Sequence, residues 1–332
     1  MKNLKRHLVK NYTTYSGVCI GEISMSYEII GKKLGSAPIV LVNHALTGNS
    51  DVAGNEKGWW KSIIGEHKLI DSRNYTIIAI NIPGNGYDGH SLENYKAFSA
   101  KDIANLYIQT LQSLRIENIY ATIGGSLGGG IAWEMAVLKP KLIEYLIPIA
   151  SDWKASDWII GQNYVQEKIL KHSSQALQDS RMMAMLFYRT PASFSQKFQR
   201  TKTADNKLFN VESWLQHHGN KLSERFQLSA YLLMNHLLTS LDITSDYPSF
   251  EEAVAPIQSK VIQIAVDSDI LFVKEETINT QQRLNQLGIE NEYHEIKSIH
   301  GHDAFLIEFE QLTRFLTPIF QTDNKTKTYE NN

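Results

Sequence analysis

The stretch ATIGGSLGGGIAWEMA, residues 121–136, sets one serine, Ser126, among five glycines. The β-branched, apolar run IYATI (119–123) leads into it, and a helix-like run leads out. Glycine is costly inside a strand or a helix. A cluster of glycines at the junction therefore marks a place where side chains do not fit. Gly124-Gly125-Ser126-Leu127-Gly128 matches the pattern G-x-S-x-G in its required context, strand before and helix after. In such an elbow the serine stands on a sharp, strained turn, and the first N–H groups of the helix lie beside it. The competing reading is a purely structural turn in which small residues let helix and sheet approach. The context favours the nucleophile.

Working outward, EISMSYEII (22–30) alternates Ile23, Met25, Tyr27 and Ile29, the period of a half-buried strand. APIVLVN (37–43) and YTIIAIN (75–81) are short continuous apolar runs, as central strands of a parallel sheet require. Ser99 opens a helical pattern carrying Ile103, Leu106, Tyr107, Ile108, Leu111 and Leu114. The helix after Ser126 closes at Lys139-Pro140, and a strand follows at 145–150. This alternation predicts an α/β fold with a mainly parallel sheet. From 155 to 255 the pattern becomes helical, and strand character returns at 260–266 and 291–296, with a helix near 303–317. The division expected is a core of residues 1–154 and 256–320, a helical insertion at 155–255, and a polar, disordered tail at 321–332.

The chain has 332 residues, 42% apolar and 20% charged, with net charge −2, enough for one sizeable core and no electrostatic invitation to nucleic acid. The single cysteine, Cys19, precludes an internal disulfide and fits a reducing compartment. MKNLKRHLVKNY at the start is basic without an apolar core, so it does not read as a secretory signal. No run approaches the roughly 20 apolar residues that span a bilayer. The expectation is a soluble, cytoplasmic protein with no metal and no membrane partner.

A serine hydroxyl is a weak nucleophile and needs a base, itself oriented by an acid. On this fold class the order is serine, acid, histidine, each at the C-terminal end of a strand. Asp267 and Asp269 both follow the strand at 260–266, and His300 and His302 both lie in SIHGHDAF after the strand at 291–296. Position alone leaves both choices open. NHALTG (43–48) follows the strand at 37–43, where a second oxyanion N–H is supplied in such folds. His44 precedes the serine in the chain and reads as a support for that loop.

HALTG (44–48), GWW (58–60), GGSLGG (124–129), SDILF (268–272) and GHDAF (301–305) together resemble the homoserine O-acetyltransferases. The resemblance spans about residues 22–318 and continues through YRTPASFSQKFQR (188–200) and FNVESWLQHHGNKLSERF (209–226). It implies an α/β-hydrolase fold with an inserted helical lid. It further implies Ser126 as nucleophile, Asp269 as orienting acid, His302 as general base, Leu46 and Leu127 as oxyanion N–H donors, and Arg200 as a substrate-binding residue. The implied reaction, a step of methionine biosynthesis, moves an acetyl group from acetyl-CoA through a Ser126 acyl-enzyme to L-homoserine. No permanently bound cofactor is implied, and the lid is expected to form a homodimer contact. The chain departs from the family in NIPGNGYDGH (81–90), in NSDVAG after HALTG, and at Asn235, His236 and Thr239, positions that border the donor and acceptor region. L-Serine as acceptor, succinyl-CoA as donor, and an esterase built on the same triad are therefore the alternatives.

Overall fold

The structure, a computed structural model, describes residues 4–54 and 57–321. Residues 322–332 of the expected tail lie outside the described residues. One sheet of eight strands organises the molecule: β1 (Lys5–Thr13), β2 (Cys19–Gly31), β3 (Ile39–Asn43), β4 (Thr76–Ile80), β5 (Ile119–Gly125), β6 (Ile143–Ile149), β7 (Lys260–Val266) and β8 (Asn291–Ile296). Their spatial order is β1-β2-β4-β3-β5-β6-β7-β8. β2 runs antiparallel to both its neighbours, and every pairing from β4 through β8 is parallel. β4 is buried along its whole length and β3 is buried from Val40 onward, which is why both read as unbroken apolar runs.

Helices α1 (Ala100–Ser113) and α2 (Leu127–Leu138) cover one face, with Ile103, Leu106, Tyr107, Ile131 and Trp133 in its core. The predicted start of α1 holds: the Ser99 side chain caps Asp102 N–H, and Asp102 reaches back in a capping box. The other face is closed by α10 (Phe309–Phe320) through Leu312, Leu316, Ile319 and Phe320. The helix predicted near 303–317 is two elements, a 3₁₀ segment at Gly301–Leu306 and then α10. The break falls around Ile307, whose N–H bonds Ala304 O and ends the tighter turn. Two of the longer elements escaped the sequence reading. β1 has little apolar content, and α9 (Lys274–Gln286) buries only Thr277, Thr280 and Leu284.

Six helices lie between β6 and β7: α3 (Asp157–His172), α4 (Ala176–Tyr188), α5 (Pro191–Phe198), α6 (Asn210–Ser223), α7 (Leu228–Thr239) and α8 (Phe250–Val254). The chain leaves and re-enters the body at a narrow neck. There Ala155 N–H bonds Leu241 O at 2.8 Å and Ile243 N–H bonds Trp153 O at 3.3 Å. α8 comes after that neck, and its Phe250 packs on Trp153 and on Trp133 of α2. These ring contacts bind α8 to the body of the protein.

Parallel pairing aligns the strand ends. Asn43 stands opposite Gly124, Gly124 opposite Pro148, and Val266 opposite Ile296. The loops after β3, β5, β7 and β8 consequently open on one edge of the sheet, the position where folds of this kind place their chemistry.

Candidate active site

Ser126 occupies the turn between β5 and α2 with φ 56° and ψ −128°, a region that side-chain-bearing residues rarely enter. None of its five neighbouring glycines has positive φ. The strain sits on the serine itself, and the glycines supply space. A Cβ on Gly124 would meet the Gly128 carbonyl carbon at 2.5 Å, so strand end and first helical turn are in backbone contact. A Cβ on Gly125 would stand 2.7 Å from Phe305 Cδ2. Ser126 N–H is tied to Ile149 O of β6 at 2.9 Å, while its hydroxyl caps no helix N–H. The start of α2 therefore makes no use of the hydroxyl.

Asp269 and His302 are brought together: His302 Nδ1 donates to Asp269 Oδ2 at 2.7 Å, with both residues 4% exposed. The other carboxylate oxygen, Oδ1, accepts the N–H groups of Leu271 (2.7 Å) and Phe272 (3.1 Å). Both oxygens are thus fixed, and the imidazole is held with Nε2 directed away from the acid. The rival residues are engaged elsewhere. Asp267 accepts Ser298 N–H at 3.0 Å and pins the β7 and β8 loops together, and His300 faces Arg189 and Ser193. His302 is boxed by Tyr188, Phe272 and Phe305, with ring centroids 5.5–5.7 Å away. Phe305 therefore touches both His302 and Gly125, the residue before the serine.

The loop after β3 approaches the same turn. Asn43 Nδ2 donates to Gly128 O at 3.2 Å, which ties the β3 end to α2. Ala45 O accepts two hydrogen bonds, from His44 Nδ1 (2.8 Å) and Gly48 N–H (2.9 Å). In a trans peptide the N–H points opposite the carbonyl, so anchoring Ala45 O fixes the direction of Leu46 N–H. His44 Nε2 accepts Ile82 N–H at 3.0 Å, and burial holds the ring neutral, its pKa lowered to about 4. A neutral ring that donates from one nitrogen and accepts at the other suits both bonds. Leu127 is the first residue of α2, where the N–H has no earlier turn to bond.

Arg200 does not join this cluster. It is exposed on the turn after α5 with φ 56°, and its guanidinium lies over the Phe209 ring, 5.7 Å from the centroid. A left-handed turn at Gln199 and Arg200 directs it back along its own hairpin. Three other arginines of the insertion do reach the site. Arg181 of α4 lies over Tyr188, which packs on His302. Arg189 pairs with Asp303 at 2.8 Å. Arg225 donates to Thr47 O at 3.0 Å. The segment 188–200 drew attention in the sequence, but linear order does not say which of its arginines faces inward.

A family model described as alpha/beta hydrolase fold matches residues 38–308. Among curated proteins, the homoserine O-acetyltransferase of Cyclobacterium marinum is 33% identical over 93% of this chain and 92% of its own length. Among solved structures, homoserine O-acetyltransferase from Bacillus anthracis superposes with a TM-score of 0.86 at 19% identity, covering 97% of this chain and 99% of that one. Esterase E22 superposes with a TM-score of 0.84 at 18% identity, covering 96% and 100%. No helix among the described residues is long and apolar enough to cross a membrane. Identity at this level over nearly the full length of both chains, on a fold the structures share, places the chain in the homoserine O-acetyltransferase family of the α/β-hydrolase fold.

Proposed function

We propose that the protein is an acyltransferase that moves an acetyl group from acetyl-CoA to the hydroxyl of L-homoserine, with Ser126 as nucleophile, His302 as general base and Asp269 as the orienting acid. The observation that carries the reading is the buried 2.7 Å contact between His302 and Asp269, with Phe305 packed between His302 and the turn that holds Ser126 at positive φ. Ser126 Oγ attacks the thioester carbonyl as His302 Nε2 takes its proton. The tetrahedral oxyanion accepts the N–H groups of Leu46 and Leu127. Collapse expels the thiolate, which takes the proton from His302, and leaves an acetyl ester on Ser126. His302 then deprotonates the homoserine hydroxyl, whose attack releases the O-acetyl product and regenerates the serine.

An amino-acid acceptor carries a carboxylate, and Arg181 is placed to receive it: it borders Tyr188, and no carboxylate pairs with it among the described residues. Arg181 also helps hold the nearby His218 pKa down to about 4, after burial itself, which marks this side of the insertion as electropositive. Helices α3 to α7 then act as the lid that keeps water from the acyl-enzyme. Trp158, Tyr164 and Val165 of α3 and Leu186 of α4 leave an exposed apolar face on that lid, suited to a second copy of the chain. A thioester co-substrate and a single cysteine fit a cytoplasmic setting.

The test is thiol release from acetyl-CoA. It is expected to depend on homoserine and to vanish in Ser126→Ala. Release that is insensitive to any hydroxy amino acid overturns the transferase reading in favour of an esterase. Faster release with serine or with succinyl-CoA reassigns acceptor or donor.

A further inference from the structure

The insertion grips both loops that the chemistry uses. Arg189 follows α4 directly, and its guanidinium makes two contacts at once: Nε donates to Asp303 Oδ2 at 2.8 Å and an Nη donates to His300 Nδ1 at 3.2 Å. Those partners lie two residues before and one residue after His302. A single rigid fork therefore spans the histidine it never touches. The side chains of Arg189 and Asp303 are 21% and 16% exposed, so the pair is shielded from the screening that weakens surface ion pairs. Ser193 and Thr190, on the same side of the insertion, bond His300 Nδ1 and Ile299 O.

The second grip is on the oxyanion loop. Arg225, just past α6, donates to Thr47 O at 3.0 Å and approaches Thr47 Oγ1 at 3.5 Å. Thr47 directly follows Leu46. No carboxylate pairs with Arg225 among the described residues, so its hydrogen bonds to the body run to this loop.

We infer that Arg189 and Arg225 are positioning residues, through which the seated helical insertion sets the histidine loop and the oxyanion loop for catalysis. The insertion is then a working part of the catalytic centre as well as a cover over it. A guanidinium is required because its planar fork spans two acceptors at fixed separation, which an ammonium does not. This inference rests on the Ser126–His302–Asp269 reading, and its test separates the two.

The experiment measures the rate at which a fluorophosphonate labels Ser126 in the full-length protein and in Arg189→Met, Arg189→Lys, Arg189→Ala and Arg225→Met. Labelling needs the nucleophile, the base and the oxyanion hole, and it needs neither acyl donor nor acceptor. The rate is expected to fall roughly 10–100-fold in Arg189→Met and Arg225→Met, since displacements near 1 Å cost that much. Arg189→Lys is expected to recover only a small part. Added methylguanidinium is expected to accelerate Arg189→Ala and to leave the native protein unchanged. The far-downfield proton resonance of the His302–Asp269 hydrogen bond is expected to broaden in the Arg189 variants and to persist in Arg225→Met. Native labelling rates in the Met variants overturn the inference. So does a slower rate accompanied by an unmoved proton resonance and no guanidinium rescue of Arg189→Ala, which reports general destabilisation. Ser126 left unlabelled in the native protein overturns the triad reading instead, whereas labelling without transfer to homoserine overturns only the acceptor.

Discussion

Replacing Gly125 by alanine tests how the serine turn and the histidine are coupled. The added Cβ would lie 2.7 Å from Phe305 Cδ2, whereas ordinary contact begins at 3.4 Å, and it would lie closer still to the adjacent ring carbon. The ring must retreat by about 1 Å, the shortfall implied by contacts this tight. It has little room, because Phe305 is 2% exposed and meets Trp60 edge-on at 6.4 Å and His302 at 5.5 Å. Movement away from Gly125 is thus transmitted to His302, whose own contact with Asp269 leaves no slack at 2.7 Å. Overpacking of this size costs about 1–3 kcal/mol of stability. A comparable displacement of a catalytic group costs roughly 100-fold in rate. Urea unfolding measures the first quantity and thiol release from acetyl-CoA with homoserine the second. The double variant Gly125→Ala/Phe305→Leu removes ring atoms that the methyl meets and is expected to regain most of the lost rate. A Gly125→Ala protein with native kcat, or a double variant no faster than the single, refutes the coupling through Phe305.

Glu134, inside α2, is kept neutral by burial, its pKa raised from 4.5 to about 8. An unfolded carboxyl ionises near 4.5, so this contribution is complete below that pH and is lost as pH rises toward 8, by about 3 kcal/mol at pH 7. Glu134→Gln cannot ionise in either state. Its urea-derived stability should match the native protein at pH 4.5 and exceed it by about 3 kcal/mol at pH 7, and parallel pH profiles would refute a neutral Glu134. His44 runs the other way: its depressed pKa contributes stability that is present above pH 6.5 and lost as pH falls toward 4. His44→Leu removes one of the two hydrogen bonds to Ala45 O and the one from Ile82 N–H, and is expected to lower kcat on the order of 100-fold by loosening the direction of Leu46 N–H, read by the same thiol assay. Arg181→Met is expected to raise the KM for homoserine roughly 10–100-fold, while Arg200→Ala, on an exposed turn, stays within about twofold in every kinetic constant.

The chemistry-bearing strands were legible because their patterns are local. β3 and β4 announce themselves as continuous apolar runs, and the G-x-S-x-G turn carries its glycines beside the serine they serve. β1 was not legible, since KRHLVKNYT buries only Leu8's neighbour Val9 and Tyr12 and takes its strand form from pairing with β2. The 3₁₀ break at Gly301–Leu306 was equally hidden, for the apolar spacing there is compatible with one longer helix.

The sequence by itself determined the fold class and placed Ser126, the Asp267/Asp269 pair and the His300/His302 pair each after a strand. Those follow from periodicity and from steric needs confined to a few residues. Position in the sequence left Asp267 against Asp269 and His300 against His302 open, and only the family resemblance named Asp269 and His302. The tertiary structure then brings those two within 2.7 Å, a contact between residues 33 apart that depends on how β7 and β8 pair. It also decided which arginines of the insertion meet the histidine and β3 loops. Arg200 was the expected one, but it lies over Phe209 on its own turn, while Arg181 meets Tyr188, Arg189 meets Asp303 and Arg225, though exposed, meets Thr47. A side chain's direction is set by the packing of the helix that bears it, and that packing joins residues far apart in the chain.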